Sequence, residues 1–181
     1  MKILLHICCG VCAGAVAEKL MIEGHRVTGY FYNPNIHPVD EYQRRLEASR
    51  KVATELGFDL VEGPYDRQKW FELVKGLEYA PEGGDRCRIC YRIRLEQTYK
   101  YMREKIFGAF TTTLSVSPHK DAAVINSIGR EIGGEKFINA DFKKKGGFLR
   151  ATEMSREMGL YRQDYCGCVY SQEEALRRRR K

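Results

Sequence analysis

The stretch Met1–Gly14, MKILLHICCGVCAG, decides how the rest of the chain is read. Ile3-Leu4-Leu5-His6-Ile7 is a short apolar run of the kind that forms a buried strand, and it passes straight into Cys8, Cys9 and Cys12. A helix-like run, Ala13–Glu23, follows. Three thiols therefore fall at a strand-to-helix turn. The free N–H groups and the dipole at the start of a helix favour negative charge. A thiol placed there is shifted toward thiolate, the form that binds metal and carries redox chemistry. Ligands of open α/β sheets lie beyond the carboxyl ends of strands, which makes this turn a candidate site.

Working outward, the same alternation repeats. Val27–Tyr32 and Phe58–Val61 read as strands, separated by a helix from Pro38 to about Leu56. Asn33-Pro34-Asn35 breaks the second strand. A short helix over Arg67–Leu77 and a long one over Cys87–Phe107 come next, then a strand at Ala109–Leu114. Ser117-Pro118 opens a further helix to about Ile132, and Lys136–Asn139 is a short fifth strand. Thr152 caps a helix to Met158, and Ser171 with Glu174 forms a capping box for the last one. Strands alternating with helices predict an α/β fold: a Rossmann-like three-layer sandwich with a mostly parallel sheet of about five strands. Residues 1–181 are expected to form a single domain with a short, frayed basic tail at Arg177–Lys181.

The 181 residues are 43% hydrophobic, enough for one core, and carry a net charge of +7. That balance favours a polyanionic partner such as RNA. No apolar run approaches the roughly 20 residues of a membrane span, and the run before Cys8 is too short for a signal sequence. A cytoplasmic protein with no membrane partner is expected. Seven cysteines in a reducing compartment favour metal or redox chemistry over structural disulfides.

The thiols fall into three groups: Cys8-Cys9-x-x-Cys12, Cys87-x-x-Cys90 and Cys166-x-Cys168. Helix starts in a parallel α/β chain face one edge of the sheet, so two groups can converge on one four-thiolate site. Zinc and an iron–sulfur cluster both suit such a site. The adjacency of Cys8 and Cys9 weighs against a compact zinc knuckle. Cys12 is either a small packed residue or an extra ligand. Cys166 and Cys168 can close a strained, reducible ring or complete a metal site. Arg86, Arg88, Arg92 and Arg94 offset thiolate charge, contact phosphate, or form a solvated helix face. His6 reads as a packed strand residue, and His25 and His37 as surface loop residues. His119 and Lys120 lie on the ligand edge, where they can meet an anionic substrate or supply protons. Tyr161, Tyr165 and Tyr170 fill core or stack on a base. The sequence has no G-x-x-x-x-G-K-[ST] and no G-x-G-x-x-G, so neither ATP nor NAD is expected at the first turn.

Five motifs together resemble the epoxyqueuosine reductases of the QueH type: LLHICCGVC at Leu4–Cys12, GGDRCRICYRIRL at Gly83–Leu95, TTTLSVSPHK at Thr111–Lys120, DFKKKGG at Asp141–Gly147, and GLYRQDYCGCVYS at Gly159–Ser171. Val11 stands where a proline is often expected, and the thiols are intact. The resemblance implies an adenine-nucleotide hydrolase-like fold. It implies an oxidoreductase that removes the epoxide oxygen of epoxyqueuosine in tRNA, the last step in making queuosine. Carried over by motif, Cys8, Cys9, Cys87 and Cys90 hold a [4Fe–4S] cluster, and Cys166 and Cys168 form a redox pair. A second metal ion, iron among the candidates, would take Cys12 or an acidic residue such as Asp141 or Asp164. The partners are epoxyqueuosine-bearing tRNA and an unidentified electron donor. Two other readings are an iron–sulfur thiol–disulfide reductase and a zinc-stabilised RNA-binding module.

Overall fold

A computed structural model of the chain describes residues 1–180. Strands β1 (Lys2–His6), β2 (Arg26–Phe31), β3 (Asp59–Glu62) and β4 (Ala109–Thr112) form one parallel sheet in the order β3-β2-β1-β4. The sheet has four strands, not five. Gly133-Gly134 ends a helix, and the chain then tightens into a 3-10 turn at Gly134–Lys136. Only Phe137 is left in register to bridge Phe110, with Ile138 N–H donating to the Phe110 carbonyl.

Seven α-helices among the described residues surround the sheet: α1 (Gly10–Ile22), α2 (Val39–Leu56), α3 (Arg67–Leu73), α4 (Asp85–Glu104), α5 (Ala122–Gly133), α6 (Gly147–Glu157) and α7 (Val169–Arg179). The alternation of β1 divides the core. Ile3, Leu5 and Ile7 pack with Val16, Leu20, Leu46 and Met154 of α1, α2 and α6. Leu4 faces the other way, toward Tyr91, Leu95, Met102 and Ile125 of α4 and α5. One central strand buried on both faces explains why its sequence is continuously apolar.

Several helix starts differ from the expectation: α4 begins at Asp85 rather than Cys87, and α6 at Gly147, so Thr152 is no cap but lies inside the helix and donates to the Phe148 carbonyl. Asp121, not Ser117, begins α5, because its carboxylate accepts from both Ala123 and Val124 N–H groups. Cys168, not Ser171, caps α7, with its sulfur accepting from Ser171 N–H. Of the basic tail, residues to Arg179 continue α7, and Lys181 lies outside the described residues. No helix among the described residues is long and apolar enough to cross a membrane.

The chain runs from β1 outward through β2 to β3, then crosses back to place β4 on the other side of β1. The order therefore reverses between β1 and β4. A crevice opens beyond the carboxyl ends of strands at such a switch point. Cys8 leaves β1 there, and its backbone N–H donates to Thr113 Oγ1, just past the end of β4.

Candidate metal and substrate site

Helix α1 begins at Gly10, three residues earlier than its pattern predicts, which makes Cys9 the N-cap and places Cys12 in the first turn. The sulfurs of Cys8, Cys9 and Cys12 consequently all lie within 4.8 Å of one another. A Cβ on residue 10 would sit 2.6 Å from the Ala48 carbonyl, so glycine lets the α2 backbone close against this turn. Cys8 is half-buried, and Cys9 and Cys12 are buried.

Charge within the triad is uneven. Hydrogen bonds from Cys12 and Cys9 hold the Cys8 thiol well below its usual range, against the opposing effect of burial. Donation to Cys8 and Cys9, reinforced by burial, pushes Cys12 well up. For Cys9 the Cys12 hydrogen bond pulls down, but its bond to Cys8 and its burial outweigh this and raise it to about 11. Of the three, Cys8 is the thiol favoured to carry negative charge, and Thr113 Oγ1 donates to its sulfur across 3.2 Å.

The other thiols lie nearby in a different arrangement. Cys87 and Cys90 are buried in the first turns of α4 and are not part of the triad. Burial raises Cys87, and it pushes Cys90 up to about 12 against the pull of Arg94. Cys166 lines the central cavity while Cys168 turns away to cap α7, and both are free thiols. Nitrogen donors approach most of these sulfurs. Gln163 Nε2 lies 3.0 Å from Cys9, Gly83 N 3.2 Å from Cys87, Arg94 Nη2 3.2 Å from Cys90, and Ser171 N 3.4 Å from Cys168. Such donors stabilise thiolates, and a thiolate-bound metal centre fits this set of residues. Asp141 stands apart, paired with Lys143 at 3.0 Å and Lys144 at 3.8 Å. Asp164 pairs with Arg179.

A cavity of about 340 Å³ joins the first and last thiol groups, and neither Cys87 nor Cys90 lines it. Cys8, Cys12 and Cys166 line it together with Arg45, Arg94, His119 and Lys120. Burial opposes the charge of Lys120, but the nearby Cys166 and Cys8 sulfurs outweigh it and keep the amine strongly protonated. Arg86 and Arg94 are buried and so are not a solvated face, because each guanidinium finds carbonyls inside the fold. His37 is also buried rather than exposed, since its Nδ1 bonds to the Asn35 carbonyl and its N–H to that of Gly167. His6 is packed as expected: Nε2 donates to the Tyr32 carbonyl and Nδ1 accepts from Thr112, and burial with Arg94 nearby lowers it to about 4. The three late tyrosines lie against arginines: Tyr161 on Arg44, Tyr165 on Arg45 and Tyr170 on Arg86.

Sequence reasoning missed Arg45. Its side chain is buried with Glu41 at 2.7 Å, and it donates to the carbonyls of Tyr165 (3.0 Å) and Cys166 (2.9 Å). Gly167, at φ +130°, leaves room for that guanidinium, which a Cβ would meet at 3.1 Å. In sequence Arg45 is one cation on a charged helix, and nothing marks it out.

A family model described as epoxyqueuosine reductase QueH matches residues 3–174. The chain belongs to the epoxyqueuosine reductase QueH family. It is 41% identical over 175 residues to the epoxyqueuosine reductase QueH of Haemophilus influenzae, covering 94% of this chain and 71% of that protein. It is 37% identical over 178 residues to the QueH of Thermotoga maritima, covering 93% and 89%. Among solved structures it is similar to the U34-tRNA thiolase NcsA from Methanococcus maripaludis with its [4Fe–4S] cluster, at a TM-score of 0.59 and 15% identity. That match covers 97% of this chain and 64% of the thiolase, and it shows a shared fold. The QueH motifs at Leu4–Cys12 and Gly159–Ser171 supply the thiols that meet the cavity.

Proposed function

We propose that this chain reduces epoxyqueuosine in tRNA to queuosine by a two-electron removal of the epoxide oxygen. The observation that carries this reading is the convergence of Cys8, Cys12 and Cys166 with Arg94 and Lys120 on one cavity at the strand switch point, in a member of the QueH family. Cys8, Cys9, Cys87 and Cys90 would hold a [4Fe–4S] cluster, and Cys12, beside Cys8 and Cys9, would serve as an additional ligand or hold a second metal. Such a cluster, when bound, supplies electrons one at a time. Cys166 and Cys168 are proposed as the redox pair, with Cys166 presented to the cavity.

The chain's own residues provide the rest. Arg94 and Lys120 place positive charge where negative charge develops as the oxygen leaves. Lys120 stays protonated and, with His119 beside it on the cavity wall, can donate a hydrogen bond toward that oxygen. Arg45 and Gly167 fix the Cys166 turn. The substrate base lies in an anticodon loop, where it can be splayed into a cavity. Exposed Lys144 and Arg162 would meet the phosphates.

The test is metal and sulfide analysis of anaerobically purified protein, with spectra before and after dithionite, followed by turnover of epoxyqueuosine tRNA. About four irons with sulfide, absorbance that bleaches on reduction, and queuosine as product are expected. Zinc without sulfide after attempted reconstitution, and no queuosine, would overturn the reading.

A further inference from the structure

The wall of the cavity grades from buried to open. Cys12 and Arg94 are buried, Cys8 and Lys120 are half-buried, and Phe148, Arg162 and Arg178 are exposed. The thiols of the first turn therefore lie toward the floor, and the last three residues stand at the mouth. Two of those three are cations, which suits the entry of a polyanion. The third is Phe148, an apolar side chain 44% exposed in the first turn of α6, and the chemistry above leaves it unused.

A single exposed phenylalanine needs no explanation by itself. This one differs in two respects. Among the described residues no aromatic ring or guanidinium lies against it, whereas Tyr165 on the same wall is covered by Arg45. Its backbone is also tied down. Phe142, ahead of the basic turn, is buried, and its N–H donates to Ser115 Oγ at 3.3 Å. Lys143 Nζ donates to the Lys120 carbonyl at 3.2 Å, and Phe148 N–H to the Lys143 carbonyl at 3.4 Å. Gly146 takes φ +80°, and a Cβ on Gly147 would strike the Phe142 carbonyl oxygen at 1.9 Å, so both glycines are needed to bring the chain round. The ring is thus mounted on the segment that carries Lys120, with exposed Lys144 and Lys145 just before the turn.

An uncovered aromatic face among cations is how proteins hold single-stranded nucleic acid, with bases on the ring and backbone on the charges. We infer that Phe148 is a stacking platform for the nucleobase next to the target nucleotide in the anticodon loop. The inference rests on the tRNA reductase reading and deepens it by adding a positioning residue at the mouth. The target base has to reach Cys8 and Lys120 below, so the ring above meets its neighbour. Withdrawing the target base from the loop leaves that neighbour with a bare face, and Phe148 takes the place of the lost stack.

The experiment measures binding of an anticodon stem-loop carrying epoxyqueuosine, by fluorescence anisotropy on anaerobic holoenzyme without reductant. Phe148→Ala is expected to weaken binding by about tenfold, the scale of one base–aromatic stack. Phe148→Trp should bind as wild type does, while Phe148→Leu, apolar but without a flat face, should stay as weak as Phe148→Ala. Two further loops carry an abasic residue on the 5′ or the 3′ side of the target. On one of them wild type and Phe148→Ala should agree within about twofold, because the stacking partner is gone. Unchanged affinity in Phe148→Ala, wild-type affinity in Phe148→Leu, or a tenfold loss that persists on both abasic loops would each overturn the platform. Turnover of the intact loop by wild type, read once reductant is added, reports separately on the reductase reading. Queuosine formed with no effect of Phe148→Ala on binding sinks the platform alone, and Phe148-dependent binding without queuosine sinks the reductase reading and leaves the stack standing.

Discussion

Arg94 donates through Nη2 to Cys90 Sγ at 3.2 Å, one helical turn back along α4. Its charge, opposed by burial, is sustained by Cys90, Cys166 and Cys8, so one guanidinium sits among all three cysteine groups. Removing it takes a positive charge from the proposed electron-carrying site. Arg94→Met is expected to lower the reduction potential by about 60 mV, a tenfold change in a one-electron couple. A potentiometric titration monitored in the visible checks it, and an unchanged potential would place Arg94 outside the redox field.

Cys87 and Cys168 should separate cleanly. Cys87→Ala is expected to lose iron and activity together. Cys168→Ala should retain the absorbance and lose turnover by about a hundredfold, the scale of a lost catalytic group. Iron content and turnover measured on the two variants decide the matter. Loss of all iron in Cys168→Ala would make that cysteine a ligand.

Arg45→Met strips the clamp from the carbonyls of Tyr165 and Cys166 and leaves Glu41 buried with only Arg44 and Tyr161 as partners. Breaking a buried ion pair from one side costs about 3 kcal/mol at the low end, which for a chain of this size lowers Tm by about 6–12 °C. Calorimetry reads the shift. Alkylation of Cys166, mapped by mass spectrometry, should quicken as its turn loosens.

Glu18 on α1 and Arg150 on α6 form a two-bond pair at 2.7 and 2.9 Å, and Arg150 holds the carboxyl below its usual range. The folded value is the lower one, so the pair's contribution is present above the unfolded carboxylate range and fades as pH falls through the folded value. Both groups are partly exposed, which limits the effect to under about 1 kcal/mol. Glu18→Gln should therefore lower Tm slightly at pH 7 and converge on wild type as pH falls through the folded carboxyl's range, in melts run from neutral to acid pH.

RNA affinity should fall steeply with salt. Lys143 is engaged with Asp141 and the Lys120 carbonyl, and Arg177, Arg178 and Arg179 have acidic partners. Lys144 and Lys145 are more available: Lys144 is 77% exposed and only 3.8 Å pairing to Asp141 restrains it. The double change Lys144→Ala and Lys145→Ala should reduce the slope of log K against log salt by about 2. An unchanged slope would move the phosphate track elsewhere.

The layered fold was legible because β1, β2 and the long helix α4 carry strong periodicity with clear stops. The fifth strand expected at Lys136–Asn139 does not form, because the 3-10 turn at Gly134–Lys136 takes its first residue and leaves a single bridge at Phe137. The thiol groups were visible in the sequence, yet the place of Cys12 was obscured by a helix start set at Ala13 rather than Gly10. With the start moved, the spacing of Cys8, Cys9 and Cys12 puts them on one side of the first turn. Arg45, Gln163 and Asn33 were hidden for a different reason. Their roles lie in bonds to chain segments more than 20 residues away, which local patterning does not encode, and Asn-Pro-Asn looks like any strand breaker.

The contact between Gly10 and Ala48 closes the back of the thiol turn with backbone, and Cys8 and Cys12 line the cavity in front of it. On the proposed function, metal and substrate base reach Cys8 and Cys12 through this one cavity, so RNA added before metal is expected to slow reconstitution of the apoprotein.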